Sequence, residues 1–259
     1  MELLKKYAKE LGIELSDTKL EQFKKYYELL VEWNSFMNLT AITEFEDVML
    51  KHFADSIALI KGIENNIIYD ICNNEASLKL IDIGTGAGFP SLPLKIAFPN
   101  LQVTMIDSLN KRVKFLNEVI STLGLTGIEA LHGRAEDYAT PDKLREKYDI
   151  CVSRAVANLS TLSEYCLPYV KKNGIFVAYK SEELLGKGEN VSRETSDGVS
   201  EKDAATKAIF VLGGHVEKIF EYTLPESDLY RCLCVIRKEK VTPSKYPRKA
   251  GLPSKEPLK

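Results

Sequence analysis

Two hydrophobic periods divide this chain. Up to about residue 63, apolar positions recur at helical spacing. Thr18 and Glu21 match a capping box, and Leu20, Phe23, Tyr27, Leu30 and Val31 then fall on one stripe. A second helical stretch starts near Phe45 and turns Phe45, Val48, Met49, His52 and Ile60 inward. The Asn- and Ser-bearing segment 33–40 between them predicts a break. From Leu78 onward, short apolar runs alternate with helical pattern. Residues 79–83, 102–106, 128–131, 148–153, 174–179, 215–221 and 230–235 read as strands, and most are short apolar runs, as expected of strands covered on both faces. Helices are expected in most of the gaps, for example over 111–123 and 159–169. This alternation predicts an α/β fold with a mostly parallel, doubly wound sheet. The short connection around Pro225 and Asp228 makes the last strand pair antiparallel. Residues 181–203, polar and carrying Gly186, Gly188 and Gly198, predict a surface loop or a loop plus a frayed helix. The expected organisation is a helical region at 1–63, an α/β domain at 64–240 and a tail at 241–259.

Composition adds bounds. At 259 residues, with 44% apolar and 28% charged residues, the chain has ample length for a core. No apolar run approaches the ~20 residues that span a bilayer, and the N-terminus does not read as a signal peptide. The five cysteines, Cys72, Cys151, Cys166, Cys232 and Cys234, show no metal-ligand spacing and predict buried free thiols in a reducing cytoplasm. Cys232 and Cys234 are expected on one strand face. No metal is expected. The net charge is −2, yet from Arg237 to Lys259 there are eight Lys or Arg against two Glu, a local +6 interrupted by four prolines. Such a tail reads as a flexible solvated end or, functionally, as a strap for a polyanion such as RNA.

The first strand runs into the turn Asp82-Ile83-Gly84-Thr85-Gly86-Ala87-Gly88-Phe89-Pro90. Glycines at alternate positions let a backbone pass close to a bulky ligand. Asp107 ends the second strand 19 residues past Gly88, near the offset at which an acid meets ribose hydroxyls. A dinucleotide would set its pyrophosphate near Asp82, where like charges repel. S-adenosylmethionine, with an amino group, a sulfonium and a ribose diol but no phosphate, suits Asp82 and Asp107 better than a nicotinamide cofactor does.

The fourth strand ends at Ser153-Arg154-Ala155. It lacks the Asn/Asp-Pro-Pro-aromatic sequence common in exocyclic-amine methylation, and Cys151 has no neighbouring proline to suggest a thiol nucleophile. Arg154 and Lys180, at two strand ends, are cations suited to a nucleic-acid backbone or a purine carbonyl. His52, Asp55 and Ser56 share a helix face but read as a polar cluster supporting the N-terminal helices.

Taken together, Trp33-Asn34-x-x-x-Asn38-Leu39-Thr40, His52-Phe53-x-Asp55-Ser56, the glycine turn, Ser153-Arg154-Ala155 and the tail Tyr246-Pro247-Arg248-Lys249-Ala250-Gly251-x-Pro253-x-Lys255-x-Pro257-Leu258 resemble the bacterial 16S ribosomal RNA guanine-N7 methyltransferase family, also called glucose-inhibited division protein B or RsmG. The resemblance covers nearly the whole chain and weakens just beyond Lys180, where Ser181 stands in place of an expected glycine. It implies a Rossmann-like class I methyltransferase with a seven-stranded sheet and an N-terminal helical extension. It further implies methyl transfer from S-adenosylmethionine to N7 of a guanine in 16S ribosomal RNA or the small subunit, by a cytoplasmic monomer. Gly84, Phe89, Ala135, Glu136 and Arg154 match the family's cofactor positions, beside Asp82, Gly86, Gly88 and Asp107. Arg154 and Lys180 are the catalytic candidates, with no general base required. Lys180, Arg248, Lys249 and Lys255 are the RNA-binding candidates. A small-molecule methyltransferase on the same fold is the alternative, and it would have no use for the basic tail.

Overall fold

The computed structural model describes residues 1–63, 78–154, 157–186 and 200–259. All seven expected strands form: β1 (Lys79–Ile83), β2 (Gln102–Asp107), β3 (Ile128–His132), β4 (Tyr148–Arg154), β5 (Val170–Lys180), β6 (Gly214–Thr223) and β7 (Tyr230–Lys238). They make one sheet in the order β3-β2-β1-β4-β5-β7-β6. The chain divides into two compact units, 1–133 with 224–228, and 134–223 with 229–259.

In the first unit β1, β2 and β3 pair in parallel, and all of β1 and β2 beyond their first residues is buried. Burial on both faces is why β1 and β2 read as mostly apolar runs, whereas β3 carries Glu129 and is buried at none of its residues. The helices are α1 (Glu2–Glu10), α2 (Asp17–Met37), the short α3 (Phe45–Asp47), α4 (Asp55–Ile57) and α5 (Leu59–Gly62), then α6 (Ser91–Ala97) and α7 (Asn110–Thr122). Residues Val48–Ala54, between α3 and α4, are π-helical.

The start of α2 differs from expectation. Ser16, in extended backbone, caps the helix by accepting from the Lys19 N–H at 3.4 Å, so the Thr18–Glu21 capping box is not the one used. The buried stripe is Leu20, Phe23, Tyr26 and Leu30; Tyr27 is only half-buried and Val31 is exposed. The expected break falls within 38–40. Asn38 is left-handed, and the Asn34 Oδ1 accepts from the Leu39 and Thr40 N–H groups at 2.6 and 2.9 Å. Trp33 lies 5.7 Å, ring centre to ring centre, from both Phe36 on its own helix and Phe115 on α7. The Lys111 ammonium donates to the Met37 carbonyl at 2.8 Å, joining the end of α2 to the start of α7.

In the second unit β4 and β5 pair in parallel, and β7 lies between β5 and β6, antiparallel to both. Strand β5 starts four residues before the expected 174, because Val170 pairs with Tyr148 before the register shifts to Ile150 and Ile175. Gly174 fits that irregularity, since a Cβ there would lie 2.7 Å from the Asp149 carbonyl oxygen. The helices are α8 (Ala135–Tyr138), α9 (Leu159–Cys166), α10 (Glu201–Val211) and α11 (Leu252–Lys255). The expected helix 159–169 tightens into a 3₁₀ turn at Leu167–Tyr169, where Pro168 lacks an N–H. Within 181–203, Glu182–Leu185 forms a 3₁₀ turn and α10 begins after Ser200; residues 187–199 lie outside the described ones, as do Cys72 and Ala155. Cys232 and Cys234 are buried on β7, and burial pushes both thiols up to about 12.

The tail is not a loose end. The Arg145 guanidinium donates to the carbonyls of Tyr246 at 2.8 Å, Thr242 at 2.6 Å and Pro243 at 3.3 Å, and Thr242, Tyr246 and Pro253 are buried. The flexible reading is corrected by these anchors, most of which are backbone carbonyls. Among the described residues no helix is long and apolar enough to cross a membrane.

Candidate functional site

The glycine turn follows the carboxyl end of β1, the side of a parallel sheet where ligands bind. Gly84, Gly86 and Gly88 all have positive φ, at 72°, 62° and 97°. The turn's amides are largely occupied. Gly84 and Thr85 donate to the Ile106 carbonyl, Gly88 and Phe89 to the Thr85 carbonyl, and Gly86 to the Asp107 Oδ2 at 2.9 Å. Asp107 is itself 2% exposed; its other oxygen accepts from the Leu109 N–H at 2.9 Å, and Arg112 lies 3.4 Å from Oδ2. A pyrophosphate needs free N–H groups and positive ends, and here a carboxylate already holds the central amide. A nucleoside ligand without phosphate fits this donor set. Space agrees: a Cβ on Gly86 would meet nothing within 4 Å.

Gly88 and Phe89 face the other way. A Cβ on Gly88 would lie 2.3 Å from Leu92 Cδ1 and 2.9 Å from the Tyr26 hydroxyl, so this glycine serves packing. The Phe89 ring, 5% exposed, stacks on His52 at 4.3 Å and on Tyr26 at 5.5 Å. The Tyr26 hydroxyl donates to the Ala87 carbonyl at 2.5 Å. Tyr26 is thus a residue the sequence reading passed over, one position from the Tyr27 it chose. The His52 Nε2 lies 2.9 Å from the Thr40 hydroxyl, and Ser56 donates to the His52 carbonyl at 2.5 Å, which makes this cluster a support for the turn. Asp82 is fully buried and accepts from the Ser91 hydroxyl at 2.7 Å. Its carboxylate braces the base of α6 directly behind the turn.

The second unit carries the remaining candidates. Ala135 and Glu136 open α8, just past the end of β3. The buried Tyr169 hydroxyl donates to the Ala135 carbonyl, and burial pushes that phenol's pKa up. The Glu136 Oε1 accepts from the Gly251 N–H in the tail at 2.9 Å. Arg154 ends β4 half-buried, in register with Tyr179 of β5. Lys180 ends β5 and is engaged: its ammonium donates to the Glu201 carboxylate at 2.6 Å and the Ala157 carbonyl at 2.8 Å. Glu201 also accepts from the Leu159 N–H at 2.5 Å. Lys180 therefore braces the chain entering α9, where an open phosphate contact was expected.

Arg248 is also placed differently from expectation. Its guanidinium grips Glu164 of α9 through Nε at 3.0 Å and a terminal nitrogen at 2.7 Å, and its backbone N–H donates to the same carboxylate at 2.8 Å. Glu164 is 0% exposed. Its partner lies 84 residues away, so no local spacing announces the pair. Lys249 and Lys255 are exposed on the same tail. Among the described residues no cluster of His, Cys, Asp and Glu is arranged to hold a metal ion.

A family model described as rRNA small subunit methyltransferase G matches residues 19–206. Among curated relatives, the ribosomal RNA small subunit methyltransferase G of Lachnoclostridium phytofermentans is 50% identical over 96% of this chain and 93% of its own. The protein of the same name from Staphylococcus epidermidis is 49% identical over 100% and 98%. Solved structures match in fold. The [4+2]-cyclase SpnF has a TM-score of 0.51 at 12% identity, covering 72% of this chain and 81% of its own. A putative sarcosine dimethylglycine methyltransferase from Galdieria sulphuraria has a TM-score of 0.50 at 12% identity, covering 70% and 84%.

Proposed function

The chain belongs to the rRNA small subunit methyltransferase G family, and on that premise we propose that it transfers a methyl group from S-adenosylmethionine to N7 of a guanine in 16S ribosomal RNA of the small subunit. The observation that carries the cofactor assignment is the Gly86 N–H held by Asp107 beneath an open space, which supports a nucleoside donor without phosphate.

S-adenosylmethionine supplies a methyl group on a sulfonium, already activated for transfer. Asp107 would hold the ribose hydroxyls as an acceptor, and Gly86 leaves room for the ligand to pass. Glu136 and Arg154 keep the roles that the family resemblance gives them, as cofactor contacts. The planar donors of Arg154 also suit the guanine O6. N7 of guanine carries a lone pair and no proton, so the protein need not place a general base. Orientation then does most of the work; well-aligned reactants lower a barrier by roughly 7–11 kcal/mol. Phosphate contacts fall to the exposed Lys249 and Lys255, since Lys180 and Arg248 are engaged elsewhere. The reaction is proposed to run in the cytoplasm, with the protein acting as a monomer.

The test is to incubate the protein with methyl-labelled S-adenosylmethionine and small subunits, or their extracted RNA, and map the label. Label on N7 of one guanine is expected, with kcat lowered in Arg154→Ala. Label on no RNA, or wild-type kcat and KM in Arg154→Ala, counts against the assignment.

A further inference from the structure

The C-terminal segment is built into the structure around α8. Helix α9 offers it a polar face within a buried setting. The Thr161 hydroxyl donates to the Pro253 carbonyl at 3.0 Å, the Ser160 hydroxyl donates to the Leu258 carbonyl, and Glu164 takes Arg248 through both side-chain and backbone N–H groups. Arg248 also donates to the Glu256 carbonyl at 2.8 Å, which closes the segment on itself. Gly251 sits inside this closed stretch, with φ at +82°, and aims its N–H at Glu136. On its other side the loop is held by Tyr169 at the Ala135 carbonyl. The opening of α8 is thus clamped from two directions, one of them the tail.

We infer that Glu164 and Arg248 are positioning residues for cofactor binding: their ion pair seats the tail so that the Gly251 N–H orients the Glu136 carboxylate toward S-adenosylmethionine. The inference rests on the cofactor assignment made above for Glu136. The physical reason is geometric. A glutamate at the start of a four-residue helix has several rotamers open to it, and a backbone donor on one oxygen selects among them. A bidentate arginine on a fully buried carboxylate gives that donor a fixed origin. The charge that made this tail look like an RNA strap is then shared between two duties. Arg248 is half-buried and committed to Glu164, while Lys249 and Lys255 remain facing water.

The experiment titrates S-adenosylmethionine by calorimetry into wild-type protein and into Arg248→Ala and Glu164→Gln, under conditions where each is shown to be folded by its circular dichroism and melting curve. The dissociation constant is expected to rise about tenfold or more in both variants and to be insensitive to salt. A folded variant that binds like wild type overturns the inference. Should both variants fail to fold, hydrogen exchange on the wild type decides. Coupling is reciprocal, so saturating S-adenosylmethionine must slow amide exchange in residues 249–255 by several-fold. Unchanged exchange there overturns the inference. Wild-type protein that does not bind S-adenosylmethionine overturns the functional assignment and this inference with it, whereas wild-type binding alongside unaffected variants overturns the inference alone.

Discussion

Replacing Gly88 and Gly86 one at a time by alanine separates packing from ligand access within a single turn. At Gly88 the added methyl would lie 2.3 Å from Leu92 Cδ1, 2.9 Å from Leu92 Cγ and 2.9 Å from the Tyr26 hydroxyl. Leu92 is fully buried, and the Tyr26 hydroxyl is already committed to the Ala87 carbonyl, so neither moves aside freely. Overpacking of this kind costs about 1–3 kcal/mol. A non-glycine residue at φ +97° adds roughly 1–2 kcal/mol. The expected loss for Gly88→Ala is therefore about 2–5 kcal/mol, a fall of about 1 M or more in the urea midpoint. At Gly86 only the backbone term applies, roughly 1–2 kcal/mol, because a Cβ there meets nothing within 4 Å. That methyl would instead enter the space assigned to S-adenosylmethionine, weakening binding by about tenfold, or ~1.4 kcal/mol. Urea unfolding and calorimetry on both variants read the two effects independently. A Gly88→Ala protein with a midpoint at or above that of Gly86→Ala refutes the reasoning, as does wild-type affinity in Gly86→Ala.

Three other outcomes are expected. Tyr26→Phe leaves the buried Ala87 carbonyl without its donor and should cost about 1–3 kcal/mol, read as a lower melting temperature; an unchanged melting curve would show that the hydroxyl contributes nothing. The double variant Lys249→Ala/Lys255→Ala should weaken RNA binding and reduce the salt slope by about two, and an unaltered slope would remove both lysines from the phosphate contacts. Lys238 is fully buried, donates to the Leu167 carbonyl and pairs with Glu146, and burial lowers its pKa from 10.5 to about 8. Between pH 8 and 10.5 the unfolded chain therefore binds more protons than the folded one, so this group's contribution makes stability rise with pH across that window. The gain of wild type over Lys238→Met, followed by unfolding at pH 7 to 10, should reach at most about 3 kcal/mol. A gap that does not widen with pH argues against a proton-linked role.

The strands were legible because burial on both faces leaves a run of apolar residues bounded by turn formers, and β1 and β2 show that burial directly. The glycine turn and Asp107 were legible for the same local reason, since a strand end and its following loop lie together in the chain. Residues whose partners are remote were not. Glu164 sits inside a helix with no charged neighbour of its own, and its purpose appears only with Arg248, 84 residues on. Glu201 likewise gains meaning from Lys180 and the Leu159 N–H. Tyr26 was missed because Tyr26 and Tyr27 both stand three or four residues from Phe23 and Leu30, so spacing alone does not choose between them; packing buries Tyr26. The tail was misjudged because lysines and prolines advertise solvent, while the groups that hold it are mostly main-chain carbonyls.

Trp33 is the chain's single tryptophan, and it is wedged between Phe36 and Phe115. Phe115 belongs to the helix that begins three residues after Asp107, and Lys111 of that helix is fastened to the end of α2. Intrinsic fluorescence excited in the red edge of the indole band therefore comes from one known place, without contributions to deconvolve. Its emission reports whether α2 is seated on α7, and a ligand that moves α7, the helix following Asp107, acts on the indole through Phe115. The protein carries its own optical sensor where α2 meets α7, and titrations can be followed without attaching a dye.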